Sequence, residues 1–161
     1  MVSLGMEFAE AGYTLRSGGA NGADTAFETG CKSVNGSMDI FLPWKGFNEN
    51  TSNLYTYTDV HRQLAKSLYG PRWNHVSQGV HRLMTRNVAQ VMGLDFIDNS
   101  SFVVCWTPDG CETKESRTSK TGGTGQAIAL ASALKIPVFN LAKHSRVDDL
   151  RTFITTSRLL S

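Results

Sequence analysis

The sequence lacks the long apolar runs that mark a membrane protein. No apolar stretch approaches the roughly 18–20 residues that would cross a bilayer, and the N-terminal segment has neither the basic start nor the apolar stretch of a signal peptide. The chain has 161 residues, 40% of them hydrophobic and 19% charged, which is the usual size and composition of one globular domain. We therefore expect a single domain over residues 1–161, without a membrane partner and located in the cytoplasm.

Cysteine and excess charge are also scarce. Cys31, Cys105 and Cys111 are an odd number of cysteines without a paired spacing, which is typical of free thiols in a reducing compartment. Cys105 and Cys111 could be combined with His144 as a metal cluster, but no C-x-x-C or H-x-x-x-H spacing supports such a cluster, so we predict no metal site. A net charge of +2 offers little attraction for nucleic acid.

What the sequence does contain is an alternation of strand and helix patterns. Strands are predicted over residues 13–16, 38–42, 101–106 and 137–141. Helices are predicted over residues 3–11, 23–34, 58–69, 79–93, 126–134 and 146–155. This alternation favours an α/β fold with a mainly parallel sheet of about four to five strands, covered by helices on both faces. Residues 44–57 are predicted to be irregular, and residues 108–120 to be an exposed loop without core residues.

Two glycine-rich segments stand between a predicted strand and a predicted helix. Ser17–Gly22 reads SGGANG, and Thr121–Gly125 reads TGGTG. Loops in this position lie beyond the carboxyl ends of the strands and present unpaired backbone N–H groups, which suit a phosphate. A doubly wound sheet can bring both loops side by side as one cradle. The alternative is that the glycines only make tight turns.

The two loops also exclude several classes of protein. Neither contains Gly-Lys-Ser/Thr, so the chain is not a P-loop NTPase. The first is not G-x-G-x-x-G, and the second begins that way at Gly123 but ends in Ile128, which disfavours an ordinary NAD dehydrogenase. No G-x-S-x-G motif marks a serine hydrolase.

These residues resemble the SLOG superfamily, which joins the DNA-processing protein A (DprA) family to the lysine-decarboxylase-like LOG phosphoribohydrolases. The resemblance spans about residues 12–141 and is carried by Arg16–Asp24, Arg86-Asn87, Ser101–Thr107 and Gly122–Ala127. It implies a Rossmann-like three-layer sandwich and a nucleotide-type ligand. The pattern SGGAxGAD followed by Phe27-Glu28 is also similar to proteins of tailed bacteriophages.

The chain departs from the family in two places. LOG enzymes carry Pro-Gly-Gly-x-Gly-Thr-x-x-Glu with a catalytic glutamate, whereas here Gln126 replaces the threonine and Ala129 the glutamate, although Arg86 matches the family's arginine. Cleavage of an N-glycosidic bond needs such a carboxylate, so we do not expect an enzyme unless Asp24 or Glu28 substitutes. Relatives also open with a strand, whereas this chain opens in a helix. The usual first strand is therefore expected to be absent, through truncation or through loss.

The resemblance implies that the chain binds a nucleotide-derived small molecule: a nucleotide, an NAD- or ADP-ribose-like molecule, or a cyclic nucleotide signal, as in a phage protein that sequesters a host signal. The alternatives are a phosphoribohydrolase-type enzyme and a DprA-like single-stranded DNA-binding protein. No cofactor is expected, and a homo-oligomer is expected by analogy. The implied ligand-binding residues are Arg16, Ser17, Gly18, Gly19, Ala20, Asn21, Asp24, Arg86, Asn87, Trp106, Gly122, Gly123, Thr124, Gly125 and Gln126.

Each single residue also has a purely structural interpretation. Asp24 either complements the dipole of its helix or accepts a ligand hydroxyl, and Glu28 is expected to be a solvated helix residue. Arg86 is either a phosphate contact or a surface charge, Asn87 a loop brace, and Trp106 a ligand contact or a core residue.

The irregular segment and the region after it contain aromatic and basic residues. The aromatic rings could stack on a base, although such residues more often close a small core; they are Trp44, Phe47, Tyr55 and Tyr57. The basic residues form a patch that is expected to be solvated; they are Arg72, His75, His81 and Arg82.

Overall fold

In the computed structural model, which describes residues 1–159, the protein forms six α-helices and four short strands. In chain order they are α1 (Val2–Glu10), β1 (Leu15–Ser17), α2 (Ala23–Ser33), β2 (Met38–Ile40), α3 (Asp59–Tyr69), α4 (Gln78–Met92), β3 (Val103–Cys105), α5 (Thr124–Ala133), β4 (Val138–Asn140) and α6 (Ser145–Leu159). Single 3-10 turns cover Phe47–Glu49 and Pro71–His75. None of the helices in residues 1–159 has the length and apolarity needed to span a bilayer.

The strands pair in parallel, two by two. β1 pairs with β2, with Leu15 opposite Met38, and β3 pairs with β4, with Val103 opposite Val138. Because α2 lies between the first two strands along the chain and α5 between the last two, the protein contains two βαβ units. The α/β class with parallel strands is confirmed. The strands are only three residues long, and the Rossmann-like sandwich stays a prediction.

The chain divides into two compact units, and each contains one βαβ unit. The first covers Met1–Ser100, and the second begins at Ser101. The single domain expected over residues 1–161 stays a prediction.

In the first unit, α1 and α2 approach each other closely at two glycines. A Cβ on Gly30 would lie 2.0 Å from the Val2 carbonyl oxygen, and a Cβ on Gly5 would lie 2.6 Å from the Phe27 carbonyl oxygen. The Phe8 and Phe27 rings stack beside this contact, 6.4 Å between centroids. The helix that follows the first glycine-rich loop is therefore held by backbone-to-backbone packing.

A buried histidine ties α3 to the end of α4. His61 is completely buried, and its Nε2 lies 2.9 Å from the Gly93 carbonyl oxygen. Because a carbonyl oxygen only accepts, Nε2 carries the proton, and Nδ1 is then free to accept from the Thr58 amide at 3.3 Å, which caps α3. Along α4, Val88 and Val91 are also buried. This packing fixes the helix that carries Arg86.

The core of the second unit corrects one prediction. Its buried cluster consists of Cys105, Ile128, Ala131, Val138 and Cys111. Cys111 belongs to the polar segment 108–120, which was expected to hold no core residue, and it is only 3% exposed. The prediction was wrong because one small apolar side chain in a polar run leaves no periodicity to detect.

The close approach of α1 and α2 can be tested with two glycine-to-alanine substitutions. Gly30→Ala should lower the free energy of unfolding by about 1–3 kcal/mol, because its methyl group meets backbone that cannot rotate away. Gly79→Ala, also inside a helix, meets only Ser77 Oγ at 3.6 Å, so it should raise the free energy of unfolding by about 0.5–1 kcal/mol. Urea unfolding followed by circular dichroism measures both. Effects of the same sign would contradict the packing described.

Candidate functional site

The first glycine-rich loop begins where β1 ends. Ser17 is the last residue of β1 and is completely buried, and Gly18 and Gly19 after it are buried as well. Ala20 is half-buried and Asn21 is exposed, and the loop then enters α2. The loop therefore lies at the carboxyl end of a parallel strand pair, which is where α/β proteins bind ligands.

The backbone amides of this loop are not directed at open space. Asp24 Oδ2 accepts hydrogen bonds from the amides of Gly18, at 3.2 Å, and of Ala20, at 3.1 Å. Glu28 Oε1 accepts from the Gly19 amide at 3.2 Å and from Ser17 Oγ. The expectation that these amides would face a phosphate is therefore corrected. Two carboxylates from the first turns of α2 occupy them as internal anions.

Arg86 completes the cluster from α4. It is 6% exposed, so its interpretation as a surface charge was wrong. Its Nη1 donates to the Gly18 carbonyl oxygen and lies 3.7 Å from Asp24 Oδ2. A Cβ on residue 18 would collide with that nitrogen, so any larger residue there would displace the guanidinium. Its Nε is buried without a hydrogen-bond partner among the described residues.

Burial shifts the pKa of Glu28 and the pKa of Arg86 in opposite directions. Desolvation raises the pKa of Glu28, helped by the negative charge of Asp24 and opposed by the hydrogen bond from Ser17. Desolvation lowers the pKa of Arg86, and Asp24 opposes that change. The expectation of a solvated Glu28 was wrong, because its carboxylate is directed back onto the loop and not to water.

Arg16 and Asn87 are the remaining predicted ligand-binding residues of the first unit. Arg16 Nη1 donates to the Asp98 carbonyl oxygen at 2.7 Å, and Asn87 is buried on α4. Sequence reasoning missed Asn48, whose Nδ2 donates to the Gly19 carbonyl oxygen at 2.9 Å. Its only signal is an asparagine in an irregular segment, which suits its positive φ of 49°.

In the second unit, the second glycine-rich loop forms the entry to α5. Thr121, Gly125 and Gln126 are buried, whereas Gly122 and Gly123 are exposed and Thr124 opens the helix. The amide of Gly125 donates to the Gly122 carbonyl oxygen at 3.1 Å, which begins the helical bonding. Trp106 is 50% exposed, so its ring does not lie in the core. Ala129 is completely buried and supplies no carboxylate.

One aspartate organises the segment before that loop. Asp109 Oδ1 accepts from Thr107 Oγ1 at 2.7 Å, and Oδ2 accepts from Thr118 Oγ1 at 2.6 Å and from Thr121 Oγ1. These hydrogen bonds, from Thr118 above all, hold the pKa of Asp109 well below its usual range. Its place in a Pro-Asp-Gly turn concealed this role, because the partners are up to twelve residues away. Within residues 1–159, no three metal-ligating side chains come together.

No family model, no curated protein and no solved structure matches the chain. The SLOG resemblance therefore stays a prediction.

The raised pKa of Glu28 makes a pH-dependent contribution to stability. Between the ordinary value near 4.5 and the raised value, the folded state holds a proton that the unfolded state releases. Its contribution is therefore present at low pH and is lost as the pH rises through this window. We expect the free energy of unfolding of the wild type, minus that of Glu28→Gln, to fall as the pH rises from below 4.5. Urea unfolding of both proteins across this range is the measurement, and a difference independent of pH would contradict the burial of Glu28.

Proposed function

We propose that the chain binds a nucleotide-derived small molecule, such as a nucleotide or an ADP-ribose-like molecule. We propose with it a Rossmann-like three-layer sandwich of SLOG type. The observation that carries the proposal is the cluster of Asp24, Glu28 and Arg86 on the glycine-rich loop at the carboxyl end of β1. The three cysteines of the chain are free and buried, which supports a cytoplasmic location.

The charges of the cluster favour one part of such a ligand. Two carboxylates against one guanidinium give a net negative site when Glu28 is ionised, so a phosphate would be repelled. Carboxylates instead accept hydrogen bonds from hydroxyl groups, and an acidic residue that binds ribose hydroxyls is a recurrent feature of nucleotide-binding α/β folds. The side chain of Asp24 is 26% exposed, which leaves it within reach of a ligand. We therefore assign the ribose to this loop.

A second candidate function is hydrolysis of an N-glycosidic bond. The paired carboxylates and the raised pKa of Glu28 are features that such catalysis uses. Against it, the carboxylates already accept hydrogen bonds from the loop, and residue 129 is alanine. We favour binding without turnover.

Calorimetric titration with AMP and with 2′,3′-dideoxy-AMP tests the ribose assignment. Asp24→Asn should weaken the binding of AMP by at least about tenfold, or ~1.4 kcal/mol, and should hardly change the weaker binding of the dideoxy analogue. Asp95→Asn, at an exposed carboxylate of the same unit, is the matched control and should bind as wild type. Equal losses for both ligands, or no loss, would contradict the assignment.

Two further experiments test the second glycine-rich loop and the alternative of hydrolysis. Gly123→Val tests the second glycine-rich loop by itself. Its φ of −63° accepts an L-residue, so weaker binding would reflect lost access rather than backbone strain.

Free base appearing after incubation of the wild type with AMP, and absent with Glu28→Gln, would instead support the hydrolase.

A further inference from the structure

The first unit contains a second recess, which shares no residue with the glycine-rich loops. It is an open depression of about 900 Å³ between the segment that follows β2 and the helices α3 and α4. A volume of this size lies within the range of about 300–1,000 Å³ that small-molecule sites occupy. Tyr57 anchors one wall, because its hydroxyl donates to the Leu42 carbonyl oxygen at 2.6 Å, just beyond β2.

Aromatic rings form much of its lining. Trp44 is 36% exposed, and the edge-on contact with Phe47, 5.1 Å between centroids at 88°, fixes its ring. On the other side, Trp73 is buried and stacks on His81 at 4.1 Å. The rings of Trp73 and His81 therefore cover each other's faces, whereas the Trp44 side chain has exposed surface on which a planar group can stack.

The charged groups of the lining are all cationic. They are Lys45, Arg62 and Arg82, and none of the lining residues is Asp or Glu. Arg62 is neutralised by Asp59 in the preceding turn. Within residues 1–159, neither Lys45 nor Arg82 takes part in an ion pair, so two positive charges remain available to an anion.

We propose that this recess binds a nucleoside phosphate, with the base stacked on Trp44 and the phosphate held by Lys45 and Arg82. An exposed ring beside unpaired cations matches a ligand that carries a planar heterocycle and negative charge on one molecule. The recess and the Asp24 cluster have no residue in common, so either site can bind when the other does not.

ATP, adenosine and tripolyphosphate are the probes, because the last two each lack one half of the recognised chemistry. Binding to the wild type and the variants is measured by calorimetry. ATP should bind more tightly than either fragment, and Trp44→Ala and Arg82→Ala should each weaken its binding by about tenfold. Arg72→Ala, an exposed arginine outside the recess, is the matched control for charge and should bind ATP as the wild type does.

The possible results separate this site from its alternatives. Wild-type affinity in Trp44→Ala and Arg82→Ala, or equal binding of tripolyphosphate and ATP, would overturn the proposal. A single-stranded oligothymidylate that binds far more tightly than ATP and loses affinity in the same variants would overturn it in favour of a nucleic-acid surface. Asp24→Asn distinguishes the two sites, because it should leave the effects of Trp44→Ala and Arg82→Ala on ATP binding unchanged whether or not the ribose assignment holds.

Discussion

The guanidinium of Arg86 against the carbonyl oxygen of Gly18 is the contact on which the first unit depends. A buried cation needs compensation, and here Asp24 and Glu28 supply it from α2 while also holding the amides of the loop. One cluster therefore joins the end of β1, the start of α2 and the middle of α4. Gly18 allows this contact to form, since a methyl group at that position would displace the guanidinium.

The two βαβ units use an aspartate for comparable purposes. In the first, Asp24 takes up amides of the strand-to-helix loop, and in the second, Asp109 takes up threonine hydroxyls of the segment that leads to α5. Internal carboxylates thus occupy positions where unbonded donors would otherwise attract an anion. For the first loop, the negative groups favour a hydroxyl-bearing part of a ligand, whereas the cations of the separate recess beside Trp44 favour the phosphate of a ligand bound there.

The sequence predicted the helices well, because apolar periodicity and end signals are local. The helices predicted over residues 58–69 and 79–93 correspond to α3, which spans Asp59–Tyr69, and to α4, which spans Gln78–Met92. The occupation of the loop amides could not be predicted, since it depends on the rotamers of Asp24 and Glu28 in the folded protein. Those rotamers in turn depend on Arg86, which is 68 residues away in sequence from its hydrogen-bond partner, the Gly18 carbonyl oxygen. Loops of the same composition can bind an external anion or an internal one, and only tertiary contacts decide between them.

Nuclear magnetic resonance of the Gly18, Gly19 and Ala20 amides tests whether Asp24 and Glu28 occupy these amides. We expect these amides to exchange with solvent more slowly than the exposed Asn21 amide, and added inorganic phosphate to leave their resonances unshifted, because Asp24 and Glu28 already accept from them. Rapid exchange together with saturable shifts on phosphate addition would show instead that the loop is an open anion site, not one occupied by Asp24 and Glu28.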